Sequence, residues 1–186
     1  MELERKFFQN CGSIGFSLIK KHCENNNIQT EESSGFNFSG KVWDSLILGG
    51  NANFKIAINC KFSTIGVLNL GTSVFNDLDE NKYSDHVKDF IREFLNVYMG
   101  HIKGTFNNLK INFSLSLPII AKEIEIGEIF GNKSIKSMDW LYKDGASGLI
   151  VGLHFFRDEM ISNEKFEKFC EKLSVSQNKK KKLVIF

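Results

Sequence analysis

Two long stretches repeat apolar residues at three- and four-residue steps, the period of a helix. Across residues 84–106, Val87, Ile91, Phe94, Leu95, Tyr98 and Ile102 gather on one side. On the opposite side Asp89, Glu93, Asn96, Gly100 and Lys103 fall within about 80° of one another, at roughly 100° per residue. Residues 2–22 predict a second helix, with Phe7, Phe8, Cys11, Ile14, Leu18 and Ile19 as its apolar positions. Gly12 and Gly15 weaken that helix, since each costs about 1 kcal/mol against Ala in a helix interior.

A period of two marks strands. Residues 54–62 place Phe54, Ile56, Ile58, Cys60 and Phe62 on one face, with Lys55, Ala57, Asn59 and Lys61 on the other. Residues 42–48 form a second strand. Gly49, Gly50 and Asn51 between them signal a hairpin whose loop is slightly longer than two residues. Residues 110–120 alternate Ile111, Phe113, Leu115 and Leu117 against Asn112, Ser114 and Ser116. Pro118, the only proline, cannot donate to a sheet ladder and belongs at a strand end, an edge or a bulge. Residues 149–156 are almost wholly apolar and predict a central strand. Residues 124–129 and 134–142 are shorter candidate elements. Ser63 is placed to cap a helix over residues 64–75. Residues 24–35 are polar, lack periodicity and read as a loop, and residues 76–83 form an acidic connection. Residues 163–173 predict a closing helix. The chain ends with four lysines, Lys179–Lys182, followed by Leu183, Val184, Ile185 and Phe186. The predicted fold is α/β of the α+β type: an antiparallel sheet with long helices packed against it. It spans one domain, residues 1–175, with a basic and apolar tail at residues 176–186.

Composition supports a real core and removes several functions. The chain has 186 residues, of which 42% are hydrophobic and 12% aromatic, mostly the 18 Phe. Its 24 basic and 22 acidic residues leave a formal charge of +2, which supplies no overall attraction to nucleic acid or membrane. Neither partner is expected, and the terminal lysine run reads as a solvated tail. The first residues are mixed in charge without a long apolar core, so no signal peptide is expected, and a cytoplasmic location follows as the expectation. Cys11, Cys23, Cys60 and Cys170 are far apart, as are His22, His86, His101 and His154. Zinc ligands come at short spacings, so no metal site is expected and the cysteines read as free thiols. His154 reads as a satisfied core histidine, and Trp43 and Trp140 as core or interface anchors.

The polar stripe on the long helix remains. It reads Asp89-x3-Glu93-x2-Asn96, continues as Asn96-x3-Gly100-x2-Lys103, and is followed after 21 intervening residues by Pro118. This pattern resembles the D/S-x3-E-x2-N signature, with a later proline, of the CheC/CheX/FliY family of bacterial chemotaxis phosphatases. The single copy of the motif is most similar to the CheX branch. The resemblance extends loosely from the first helix to about residue 156. It includes the glycine-bounded hairpin and the Ser116-Leu117-Pro118 strand. The spacing to the proline is one residue shorter than the family pattern, and the early glycine after it is missing.

The resemblance implies a phosphatase for the aspartyl phosphate of a CheY-like response regulator, and a homodimer joined through the sheets. Asn96 would position the attacking water, because an amide both donates to and accepts from one water. Glu93, three residues earlier on the same face, would pair with a lysine lining the regulator's site. Gly100 would admit the partner's backbone, Asp89 would contact the rim, and Lys103 extends the surface. Such a mechanism uses no metal or cofactor of this chain's own, since the Mg²⁺ sits on the phosphorylated regulator. A polar stripe opposite a core is also the ordinary pattern of a surface helix. Gly100 and the proline-bearing strand set this one apart, because a surface helix has no use for a destabilising glycine. Two alternatives stand beside the phosphatase. One is a non-catalytic adaptor that binds a regulator, receptor complex or motor component. The other is a scaffold domain without a signalling partner.

Overall fold

In the structure, a computed structural model, residues 2–33, 35–51, 54–76, 78–108, 110–130 and 136–157 are described. The long first helix, α1 (Glu2–His22), has the span its periodicity predicts. After it a short strand, β1 (Gln29–Glu32), precedes the hairpin of β2 (Val42–Gly50) and β3 (Phe54–Ser63). Ser63 accepts a hydrogen bond from the Gly66 N–H at 3.1 Å and caps α2 (Thr64–Leu70). The helix expected over residues 64–75 breaks at Gly71 and resumes as α3 (Thr72–Phe75). One 3₁₀ turn leads into α4 (Tyr83–Asn108), 26 residues long and about 39 Å from end to end. The rest comprises β4 (Ser114–Leu115), β5 (Ile119–Ala121), α5 (Ile126–Phe130), β6 (Lys136–Asp144) and β7 (Ser147–Arg157). The closing helix, which includes Cys170, and the tail lie outside the described residues, as does the boundary between domain and tail.

The strands form one antiparallel sheet in the order β1-β6-β7-β3-β2-β4, with β5 also paired to β2. β7 is central, hydrogen-bonded to β3 on one side and β6 on the other, as its almost wholly apolar run predicts. The inward residues of β3 and β7 (Ile56, Ile58, Cys60, Phe62, Val151, Leu153) join the apolar faces of α1 and α4 in a single core. Cys11, Cys23 and Cys60 are buried in it, and burial pushes the Cys23 thiol up to about 12.

The two glycines that weaken α1 are explained by packing. A Cβ on Gly12 would lie 2.5 Å from the Trp140 ring, and one on Gly15 would lie 2.7 Å from the Tyr142 hydroxyl. Both let the helix axis close on the ring systems of β6 and α4. Two phenols then fasten it: Tyr98 donates to the Cys11 carbonyl at 2.7 Å and Tyr142 to the Gly12 carbonyl at 3.2 Å.

Two further sequence expectations are corrected. Residues 29–32 are a strand rather than loop; every side chain on it is exposed, so no alternation betrays it. Its order comes from pairing with β6 and from the Lys143–Glu31 ion pair at 2.7 Å. The single strand expected over residues 110–120 is two short ones. Gly49 opposes Leu115 and Leu46 opposes Ile119, so Ser116, Leu117 and Pro118 face only Ile47 and Leu48. The extra residue is a β-bulge, and Pro118, which lacks an N–H, sits in it. Ser116 holds the bulge closed: its N–H donates to the Leu48 carbonyl at 2.8 Å, and its hydroxyl accepts from the Leu48 N–H at 2.9 Å.

Candidate functional site on the long helix

The apolar side of α4 is fully committed to the core. Val87, Ile91, Phe94, Leu95, Tyr98, Met99 and Ile102 are all inaccessible to solvent. A helix anchored along so much of its length presents its other face as a rigid ridge. That face carries the stripe: Asp89, Glu93, Asn96 and Gly100 are exposed and Lys103 is half-buried. The structure therefore brings all five predicted residues together on one open surface. Pro118 sits apart, on the edge strand beside β2, over which α4 packs.

The five differ in what the chain asks of them. Asp89 is engaged within the helix by an ion pair to Arg92, three residues on. Among the described residues, neither the Glu93 nor the Asn96 side chain makes a hydrogen bond or ion pair. Their Cβ atoms lie about 5–6 Å apart, as an i, i+3 pair does. A Cβ added at Gly100 would meet nothing within 4 Å, and the same holds at Gly104 one turn on. Gly12 and Gly15 are small because the core requires it; no such packing reason exists for Gly100.

The neighbours of the stripe complete its electrostatics. The last turn of α1 is basic, with Lys20, Lys21 and His22. The His22 ring lies 4.7 Å from the Phe90 ring and 6.4 Å from the Phe94 ring, centre to centre. Burial holds His22 below the usual imidazole range; the Glu93 carboxylate opposes that shift and Lys21 adds to it. On the other flank, the ammonium groups of Lys41 and Lys88 lie 4.3 Å and 4.4 Å from the centre of the half-buried Trp43 indole. Trp140 is buried in the core. His154 is half-buried and within 2.9 Å of the Asn59 side-chain oxygen. No three His, Cys, Asp or Glu side chains converge as metal ligands among the described residues. No described helix is long and apolar enough to cross a membrane.

Sequence reasoning missed His22 and Gly104. His22 reaches the stripe only by tertiary packing of α1 on α4, which no local pattern encodes. Gly104 lies on the edge of the same face and was legible from helical spacing alone.

No protein-family model matches the sequence, and no curated protein matches it. Solved structures match the fold. The chain is similar to CheX of Borrelia burgdorferi, in a complex with CheY, BeF3 and Mg²⁺, at a TM-score of 0.59 and 13% identity, over 81% of this chain and 97% of that one. It is similar to a CheC-like superfamily protein of a Shewanella species (TM-score 0.57, 12% identity, 81% and 97% covered). It is also similar to FliM in the FliM–SpeE complex of H. pylori (TM-score 0.53, 7% identity, 94% and 97% covered). The antiparallel sheet with long helices against it is thus the fold of CheX- and CheC-like chemotaxis proteins.

Proposed function

We propose that this chain, having the fold of CheX- and CheC-like chemotaxis proteins, accelerates hydrolysis of the aspartyl phosphate on a CheY-like response regulator. One observation carries the reading. Glu93 and Asn96 stand one helical step apart on a rigid, exposed ridge, and among the described residues no side chain bonds either of them. Gly100, with open space where a side chain would be, adjoins them.

The chemistry follows from those positions. Phosphoryl transfer is mostly positioning and charge stabilisation. Asn96 enters the regulator's site and holds a water in line with the leaving carboxylate oxygen, one amide group accepting from it and donating to it. Glu93 pairs with a lysine of the regulator and sets the docking register. Gly100 admits the regulator's backbone; Asp89 and Lys103 meet the rim. The chain supplies no nucleophile and no cofactor, and the Mg²⁺ beside the phosphate belongs to the regulator. The test is phosphate release from a phosphorylated regulator, with Asn96→Ala and Glu93→Ala beside wild type.

Dimerisation belongs to the same reading. Leu115, Leu117 and Ile119 are exposed along the β4–β5 edge, and an apolar edge suits a second sheet.

A second reading, a non-catalytic adaptor, draws on the FliM–SpeE structure, in which the same fold is part of a protein complex. Under it the alanine variants weaken binding to a regulator, and no regulator loses phosphate faster in the presence of the wild-type chain.

A further inference from the structure

His22 ends α1 but lies against α4. Its ring rests on Phe90 and Phe94, the residues three before and one after Glu93. Around the helix, Phe90 lies about 60° from Glu93 at 100° per residue. The imidazole therefore occupies the flank of the stripe on which Glu93 stands. Phe90 is itself packed against Phe75 of α3 at 5.3 Å between centres. The charged groups that act on it are Glu93 from α4 and Lys21 from its own helix; α3 contributes the Phe75 ring, which carries no charge.

We propose that His22 is a positioning residue for Glu93: neutral, it leaves the carboxylate free to pair with the regulator, and protonated, it takes that pairing for itself. This rests on the docking role given to Glu93 above. The two states differ in one proton on the imidazole. An imidazolium beside Glu93 competes with the lysine that Glu93 is to meet, so docking weakens while the water held by Asn96 is untouched. The switch is one-sided, because burial keeps His22 neutral at and above neutral pH. Its effect on docking appears only as the pH falls below the usual imidazole range.

Two measurements test it. The first follows the His22 imidazole by NMR titration in wild type and in Glu93→Gln. Loss of the carboxylate moves the midpoint down; an unchanged midpoint overturns the coupling, whatever the protein's activity. The second measures KM and kcat for phosphate release from a phosphorylated CheY-type regulator between about pH 5.5 and 7.5, in wild type and His22→Gln. The ratio of the two proteins' KM values cancels the regulator's own titration. It should rise about two- to fivefold toward low pH, the strength with which an exposed imidazolium–carboxylate pair competes for Glu93, with the kcat ratio flat. A flat KM ratio overturns the proposal even where the NMR coupling holds. Absence of phosphate release from wild type with every regulator, by contrast, strikes the phosphatase reading and takes the docking role of His22 with it, leaving only the coupling.

Discussion

The Tyr98 hydroxyl donates to the Cys11 carbonyl at 2.7 Å, across the buried seam between α1 and α4. Tyr98 points opposite the Glu93–Asn96 face, so this bond fixes from behind the helix that carries the candidate site. Its phenol is fully buried, and burial pushes its ionisation well above the usual tyrosine range. Tyr98→Phe keeps the ring and loses the bond, which should cost about 1 kcal/mol in urea unfolding. The smaller effect on phosphate release should show in kcat, where helix placement matters, more than in KM.

Gly12 and Gly100 predict opposite outcomes for the same substitution. Gly12→Ala drives a methyl into the Trp140 ring, and overpacking of this kind costs about 1–3 kcal/mol. Gly100→Ala meets open space and removes a helix-interior glycine, so it should stabilise the fold by about 0.5–1 kcal/mol. The same variant should raise KM for the phosphorylated regulator. A stabilised protein with weakened docking identifies Gly100 as a contact residue, whereas stabilisation with unchanged docking removes that role.

The fold also carries a pH dependence of its own. Asp44 is only 5% exposed; among the described residues its Oδ1 has no hydrogen-bond partner, and its Oδ2 accepts the Ile124 N–H at 3.2 Å. Burial raises its carboxyl above the usual range; Lys61, 3.9 Å away, opposes the shift and Glu123 adds a little to it. A raised folded value means that the native state binds more protons than the unfolded chain between the two values. Stability therefore falls as pH rises from the unfolded carboxyl value, about 3.8, up through the raised one. Asp44→Asn should flatten this part of the profile in thermal melts between about pH 4 and 7.

Leu117, in the bulge, is 83% exposed on the β4–β5 edge. Leu117→Asp should cost the monomeric fold little, since the side chain is mostly exposed, and should convert a dimer to monomer in sedimentation velocity. A wild-type chain that sediments as a monomer at every concentration contradicts the dimer.

What could be read from the chain beforehand divides along physical lines. The spans of α1, β3 and β7 follow from periodicity because each buries one face, or both, in a single core. The stripe was legible for the same reason, as the remainder of the α4 pattern. β1 was not, because an exposed edge strand owes its order to its partner β6 and shows no alternation of its own. The break at Gly71 and the register slip at Ser116–Pro118 are settled by how α3 and β2 pack, although Pro118 did mark the place. His22 was invisible as part of the site because its neighbours lie some 70 residues away in sequence.

The central claim concerns Glu93 and Asn96, and it is tested most directly by the rate of phosphate release from a phosphorylated CheY-like regulator. With wild-type chain the rate should rise well above the regulator's own. Asn96→Ala should lose about 100-fold in kcat, the scale of a misplaced reacting group, while still binding the regulator. Glu93→Ala should raise KM by at least about tenfold, as removal of a central docking anchor does. Variants that release phosphate as fast as wild type would contradict the account.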